Sequence, residues 1–226
     1  MKISKKYSIP VIEDSCHAIL AKRYGKFAGT FGRMGCFSLH PLKNLNVWGD
    51  GGYIVANNFQ DFKRLSLMRN HGLVSRNKNL LFGYNSRLDT VQAVVANHLL
   101  KKLKHITQKR INNSHYLDKN LKNFKDLEII KREVRSTEVF HLYCLRVKKN
   151  KKNVLKQLIK GGVDVKVHYP VPMHLQPAAK YLKHKKGDFP NTELISRETI
   201  SLPVHEFITK NNLDKIISIF RKIYEK

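Results

Sequence analysis

Apolar positions along the 226-residue chain recur at strand-like and helix-like spacings, and the elements they predict alternate. Residues 1–7 read as the last turns of a polar helix, and an apolar strand over 8–14 follows at once. The segment 22–31, with Gly25 and Gly29 inside it and Gly32 just after, reads as a turn-rich loop. Strands over 35–39 and 53–56 flank a Pro-broken turn. Helical spacing returns over 59–69, where Phe62, Leu65, Leu67 and Met68 fall on or near one face. The stretch 71–87 is polar, Asn-rich and aperiodic, so it predicts a long loop of the kind that carries function. From Leu88, with Asp89 and Thr90 in the first turn, apolar residues Val91, Val94, Val95, Leu99, Leu100 and Leu103 predict a helix. The pattern continues through Ile106, Ile111 and Tyr116 to Leu121, long enough to predict a bend or a domain crossover at 105–112.

The remainder reads as a small α+β domain. Strands are predicted over 127–130, 139–147 and 163–168, the last broken off by Pro170 and Pro172. Helices are predicted over 153–160, stopped by Gly161 and Gly162, and over 192–199 and 211–224. Domains of 1–108 and 109–226 follow, with no internal repeat and no low-complexity linker.

Composition narrows the function classes. A chain that is 42% hydrophobic can bury a core, and no apolar run is long enough to span a bilayer. The start, MKISKKYSIPV, has no signal-peptide core, and Cys16, Cys36 and Cys144 have no metal-ligand spacing. They read as reduced packing residues of a cytoplasmic protein, with no metal site and no membrane partner. The net charge of +26 suits anionic partners, but the lysine runs at 101–104, 148–152 and 183–186 lack interleaved aromatics. They read as solvated faces, and a nucleic-acid partner is not expected.

Candidate chemistry concentrates in 37–52, FSLHPLKNLNVWGDGG. One lysine, Lys43, sits in a tight turn between two apolar strands. Burial there lowers an amine's pKa and makes it a usable nucleophile for Schiff-base chemistry. The strand over 9–14 ends in two carboxylates, Glu13 and Asp14. A strand-end carboxylate and a loop lysine sharing one site is what a pyridoxal phosphate enzyme needs. Gly49, Gly51 and Gly52 read as permitting positive φ and close backbone packing behind the lysine loop. Trp48 reads as core or interface packing.

Landmarks in order along the chain make a family resemblance. They are VIEDSCHA at 11–18, the 35–52 stretch, RNHG at 69–72, GYNSRLD at 83–89 with Gln92 and Ala93, HYP at 168–170, Met173 and His174 with Gln176 and Pro177, GDFP at 187–190 and SLP at 201–203. The chain resembles the DegT/DnrJ/EryC1/StrS aminotransferases, pyridoxal phosphate enzymes that place amino groups on nucleotide-linked keto-sugars.

The resemblance implies an α/β fold: part of the large domain of an aspartate aminotransferase-like, fold type I transferase, followed by the small α+β domain. It implies that Lys43 carries the cofactor and moves the proton, with Asp14 on the pyridinium nitrogen and His17 near the phenolic oxygen. Glu13 is the alternative to Asp14. Ser38 would donate to the cofactor phosphate, and Asn85 would do so from a neighbouring subunit of a homodimer. His40, Arg87, His168 and Tyr169 are candidates for the amino donor's carboxylate or the sugar nucleotide. Glutamate is the implied donor, and surface polysaccharide the implied destination of the amino sugar.

Relatives also carry an N-terminal segment ahead of the strand at 9–14, with sheet strands, a phosphate-binding turn and a ring-stacking aromatic. The reading therefore expects the C-terminal portion of the family pattern, an open sheet edge, and a separate N-terminal polypeptide as a partner, or else a non-catalytic remnant of the fold. Leu42 departs from the Thr or Ser that often precedes the lysine.

Overall fold

The computed structural model describes residues 1–225 and divides into two compact units. The first comprises Met1–Gln108 together with Glu133–His141. It opens with α1 (Lys2–Tyr7) and β1 (Ile12–Asp14), then an excursion through β2 (Lys22–Arg23) and β3 (Lys26–Phe27) to β4 (Met34–Ser38) and β5 (Gly52–Ala56). After these come α2 (Phe59–Met68), the short pair β6 (Leu73–Ser75) and β7 (Lys78–Asn79), then α3 (Thr90–Leu100) and α4 (Leu103–Leu121). The boundary between the units falls inside α4, between Gln108 and Lys109.

The organising sheet has the order β1-β4-β5. β1 runs parallel to β4, with Asp14 beside Cys36, and β5 runs antiparallel to β4, with Phe37 beside Tyr53. Those two rings stack with centroids 4.7 Å apart, and burial pushes the Tyr53 phenol up to about 12. β1 is an edge strand among the described residues, and its Ile12 is 63% exposed. Apolar contact behind the sheet comes from Leu39, Leu45, Val47, Ala96 and Leu103, with Tyr53, Leu88 and Leu99 packed against them.

In the second unit, β8 (Leu127–Ile129) is followed by β9 (Ser136–Thr137), which returns to the first unit and pairs with β2. Then come β10 (Tyr143–Val147), α5 (Lys151–Lys160), α6 (Pro190–Glu198), β11 (Thr199–Leu202) and α7 (Lys210–Tyr224). The sheet order is β11-β10-β8, antiparallel throughout. β10 buries Tyr143, Leu145 and Val147 alternately, as a period-two strand does. α7 buries Leu213, Ile216, Ile217 and Phe220 at helical spacing and is started by a Thr209–Asn212 capping box.

Several predicted elements change form. The loop at 22–31 contains the β2–β3 hairpin, and 71–87 contains the β6–β7 pair. The helix break comes at Lys101–Lys102, ahead of the predicted bend or domain crossover at 105–112, while the units divide within that range, between Gln108 and Lys109. The segment 163–168 is no strand: it meets β11 through the single bridge Lys166–Ser201 before the prolines end pairing. Trp48 is 78% exposed and is not core, because Leu45 and Val47 take the inward positions of its turn. Gly49, Gly51 and Gly52 do not adopt positive φ. Close packing explains two of them: a Cβ at Gly51 would lie 2.8 Å from Leu88 Cδ1, and one at Gly52 2.7 Å from the Phe37 carbonyl oxygen.

Candidate active site

The parallel pairing of β1 with β4 sets the site. Asp14 ends β1 and Ser38 ends β4, so carboxylate and hydroxyl emerge at the same, carboxyl ends of neighbouring parallel strands. Open α/β sheets bind ligands there. The chain then turns through His40 and Lys43, where the Lys43 backbone N–H donates to the His40 carbonyl at 2.9 Å.

This turn is fixed by its own sequence. The His40 backbone N–H donates to Ser38 Oγ at 3.2 Å, and the Leu42 N–H to His40 Nδ1 at 3.2 Å. Asn46 Nδ2 caps the Lys43 carbonyl at 3.0 Å, and Asn44, nearly fully buried, donates to the Val139 carbonyl at 2.9 Å. Leu39 and Val47 pair at 2.9 Å across the base of the loop, and Gln92 Oε1 accepts from the Trp48 N–H at 2.7 Å. Lys43 is half-buried on a turn whose neighbours are tied down on both sides.

The two carboxylates of β1 have separate surroundings. Glu13 accepts from the backbone N–H groups of Gly29 and Gly32, each at 2.7 Å. Asp14 is exposed and accepts from the Cys16 N–H at 3.1 Å. The Cys16 thiol and backbone N–H hold the Asp14 carboxyl below the usual aspartate range, and the charges of His17 and Lys43 lower it further. Burial, then the Asp14 carboxylate, pushes the Cys16 thiol up, which keeps it a neutral packing group. His17 is exposed, its ring 4.2 Å from that of His141.

Asn85 and Arg87 are exposed and share an anchor in Asn70. Asn85 forms a backbone bridge to it, and Arg87 Nη1 donates to its Oδ1 at 2.6 Å. His168 and Tyr169 lie in the second unit. The structure thus groups Asp14, His17, Ser38, His40 and Lys43 at one end of the sheet. It holds Asn85 and Arg87 together on the following loop, and carries His168 and Tyr169 in the other unit.

Some supporting roles escaped the sequence reading. Glu13 has the composition of a ligand and the role of a loop clamp. Asn44, Asn46 and Gln92 pin the lysine turn. Arg33 and Asp61 form a two-bond pair, 2.6 Å at each contact, that ties the start of β4 to α2. Only the density of Asn in 44–46 gave a local signal, since Asn commonly bonds nearby backbone in turns.

Strand-end polar groups on a mixed sheet, with a fixed lysine turn after the parallel strand, are an arrangement that open α/β domains offer to small ligands. The comparisons specify the class. Residues 1–221 match the DegT/DnrJ/EryC1/StrS aminotransferase family, and the chain belongs to it. It is 34% identical over 95% of its length to a dTDP-3-amino-3,6-dideoxy-alpha-D-galactopyranose transaminase of Aneurinibacillus thermoaerophilus, covering 58% of that protein. It is 32% identical over 98% of its length to a pleiotropic regulatory protein of Geobacillus stearothermophilus, covering 60% of it. The solved structure of DesV from S. venezuelae superposes on the whole chain with a TM-score of 0.95 at 27% identity, again over 60% of that protein. A Brucella abortus aminotransferase of the family does so with a TM-score of 0.92 at 28% identity. The fold is accordingly the α/β fold of these aminotransferases, comprising part of the large domain and the small α+β domain. The chain spans about 60% of the length of the curated relatives it matches.

Proposed function

We propose that this chain, or the longer assembly it completes, carries out pyridoxal phosphate-dependent transamination of a nucleotide-linked keto-deoxysugar. Glutamate is the amino donor in this reading, and the amino sugar goes to surface polysaccharide. The observation that carries it is the placement of Asp14 and Ser38 at the carboxyl ends of the parallel strands β1 and β4, with the Lys43 turn following β4 directly. The nucleotide-sugar transaminases among the relatives supply the substrate class.

The residues present suit pyridoxal phosphate. An ionised carboxylate, an amine and a hydroxyl are the donor set that a pyridinium nitrogen, an aldehyde and a phosphate require. When bound, the cofactor supplies an electron sink for the carbon losing its proton. Asp14, whose carboxyl Cys16 holds below the usual aspartate range, would pair with the ring nitrogen. Lys43 would carry the cofactor and move the substrate proton. Ser38, whose Oγ accepts from the His40 N–H, would donate its own proton to the phosphate. His17 would serve the ring oxygen, and Asn85 the phosphate of a second copy of the chain. His40, Arg87, His168 and Tyr169 meet the donor carboxylate or the nucleotide; the planar guanidinium of Arg87 suits two oxygens at once.

Exposed apolar surface supports the proposed partners. Val91 and Val94 on α3 are 57% and 63% exposed, which favours cover by a second copy. The edge of β1 favours pairing with a polypeptide that supplies the rest of the relatives' length. The three cysteines are free, which suits the reducing cytoplasm. No described helix is long and apolar enough to cross a membrane.

The test is the visible absorption of the purified chain with added pyridoxal phosphate, followed by borohydride reduction and peptide mapping. A reduced adduct on Lys43, absent from Lys43→Ala, is expected. A folded chain that gives no adduct, alone or with the remaining family segment added, would defeat the catalytic reading. It would leave a non-catalytic binding module, the second reading, which the regulatory name of one relative favours.

A further inference from the structure

Ser201 occupies a position in the second unit that its place in a buried strand does not by itself explain. β11 is buried along its length, and Ser201 is 3% exposed. The antiparallel ladder sets it opposite Cys144, and its backbone exchanges hydrogen bonds of 2.8 and 3.1 Å with Lys166. Its hydroxyl lies 2.9 Å from His168 Nδ1 and 3.4 Å from Cys144 Sγ. A hydroxyl has one proton and two acceptor directions, so these contacts must be ordered.

Two orders exist. In one, the thiol donates to the hydroxyl and the hydroxyl donates to Nδ1. In the other, Nδ1–H donates to the hydroxyl, which spends its proton on sulfur. Sulfur is a weak acceptor and an imidazole nitrogen a strong one, while O–H is a better donor than S–H. The first order therefore gives the strong donor to the strong acceptor. An imidazole that accepts at Nδ1 carries its proton on Nε2 when neutral. Nε2 makes no hydrogen bond among the described residues, while the ring of Tyr169 packs edge-on at 5.5 Å.

We propose that Ser201, backed by Cys144, is a positioning residue that fixes His168 as an Nε2–H donor for an anionic ligand oxygen. A group that only donates in its neutral form matches an oxygen that only accepts, as in a diphosphate or a carboxylate. The ligand half of the proposal rests on His168 meeting substrate, as in the function proposed above. The relay itself does not.

Nitrogen NMR of the histidine-labelled full chain reads the tautomer directly. His168 is expected to show a bare Nδ1 and a protonated Nε2. Ser201→Ala should abolish that preference, and Ser201→Thr, which keeps the hydroxyl, should restore it. A wild-type His168 protonated at Nδ1 overturns the proposal, and this measurement needs no variant to fold. So does an unchanged tautomer in Ser201→Ala.

Titration with UDP and, separately, with glutamate then identifies the source of the oxygen. One of the two is expected to move the Nε2 resonance, with half-saturation about tenfold higher in Ser201→Ala, the loss of one hydrogen bond. If neither moves it while the borohydride adduct on Lys43 forms, the ligand role of His168 is wrong and the function stands. If the tautomer and titration behave as expected without an adduct, the function fails and the relay stands.

Discussion

Glu13 and Asp14 are adjacent in β1 but serve opposite sides of it. Glu13 receives two backbone N–H groups, from Gly29 and Gly32, at 2.7 Å each, whereas Asp14 is exposed and accepts only from the near-neighbour Cys16 N–H at 3.1 Å among the described hydrogen bonds. A strand alternates its faces, so one carboxylate clamps the excursion between β1 and β4 and its neighbour is left exposed.

This division makes the two carboxylates separable by substitution. Glu13→Ala leaves two inward N–H groups without their acceptor and should cost about 2 kcal/mol, read as a lowered urea midpoint. Asp14→Asn should unfold as the wild type does yet retain pyridoxal phosphate poorly, measured by absorbance after dialysis. Equal losses of stability in both variants would contradict the assignment.

Acid should act through Asp61. Two bonds from Arg33, then one from Asn58 Nδ2, hold its carboxyl below the ordinary range. A carboxyl with a depressed folded pKa adds stability above its unfolded pKa and loses it as pH falls through the folded one. Wild-type stability should therefore drop on acidification below about pH 4, the ordinary aspartate value. Asp61→Asn should be less stable near neutrality and show a shallower acid loss. Urea midpoints at about pH 6 and about pH 3 bracket that range, and parallel losses in both proteins would remove Asp61 from the explanation.

Gly35 and Gly25 should respond very differently to alanine. A Cβ on Gly35 would overlap the carbonyl oxygen and Cα of Gly29, backbone that cannot rotate away. Gly35→Ala should cost about 3 kcal/mol through overpacking beside the site. Gly25 has φ of +77° and open space around it, so Gly25→Ala meets only the left-handed strain of about 1 kcal/mol. Thermal midpoints in that order are expected, and the reverse order would show that the β1–β4 crossing is loosely packed.

The long apolar periodicities were legible from the chain alone. α7 follows a period set by Leu213, Ile216, Ile217 and Phe220, and β10 one set by Tyr143, Leu145 and Val147. Burial of one face rewards such repeats locally, so a single sequence exhibits them. The ordered motifs likewise placed the chain in its family, which the match over residues 1–221 shows.

Other features were decided between distant segments. Which of Glu13 and Asp14 is tied to the backbone depended on where Gly29 and Gly32 arrive, and the exposure of Trp48 on which neighbours filled the core. The segment 163–168 has strand composition, yet it pairs with β11 only at Lys166–Ser201. Ser201 and His168 are 33 residues apart and meet only through that bridge. Residue type and periodicity fix what a segment prefers, since those energies are local. Hydrogen-bond partners, register and orientation depend on groups brought together by the chain's path, and only the tertiary structure supplies them.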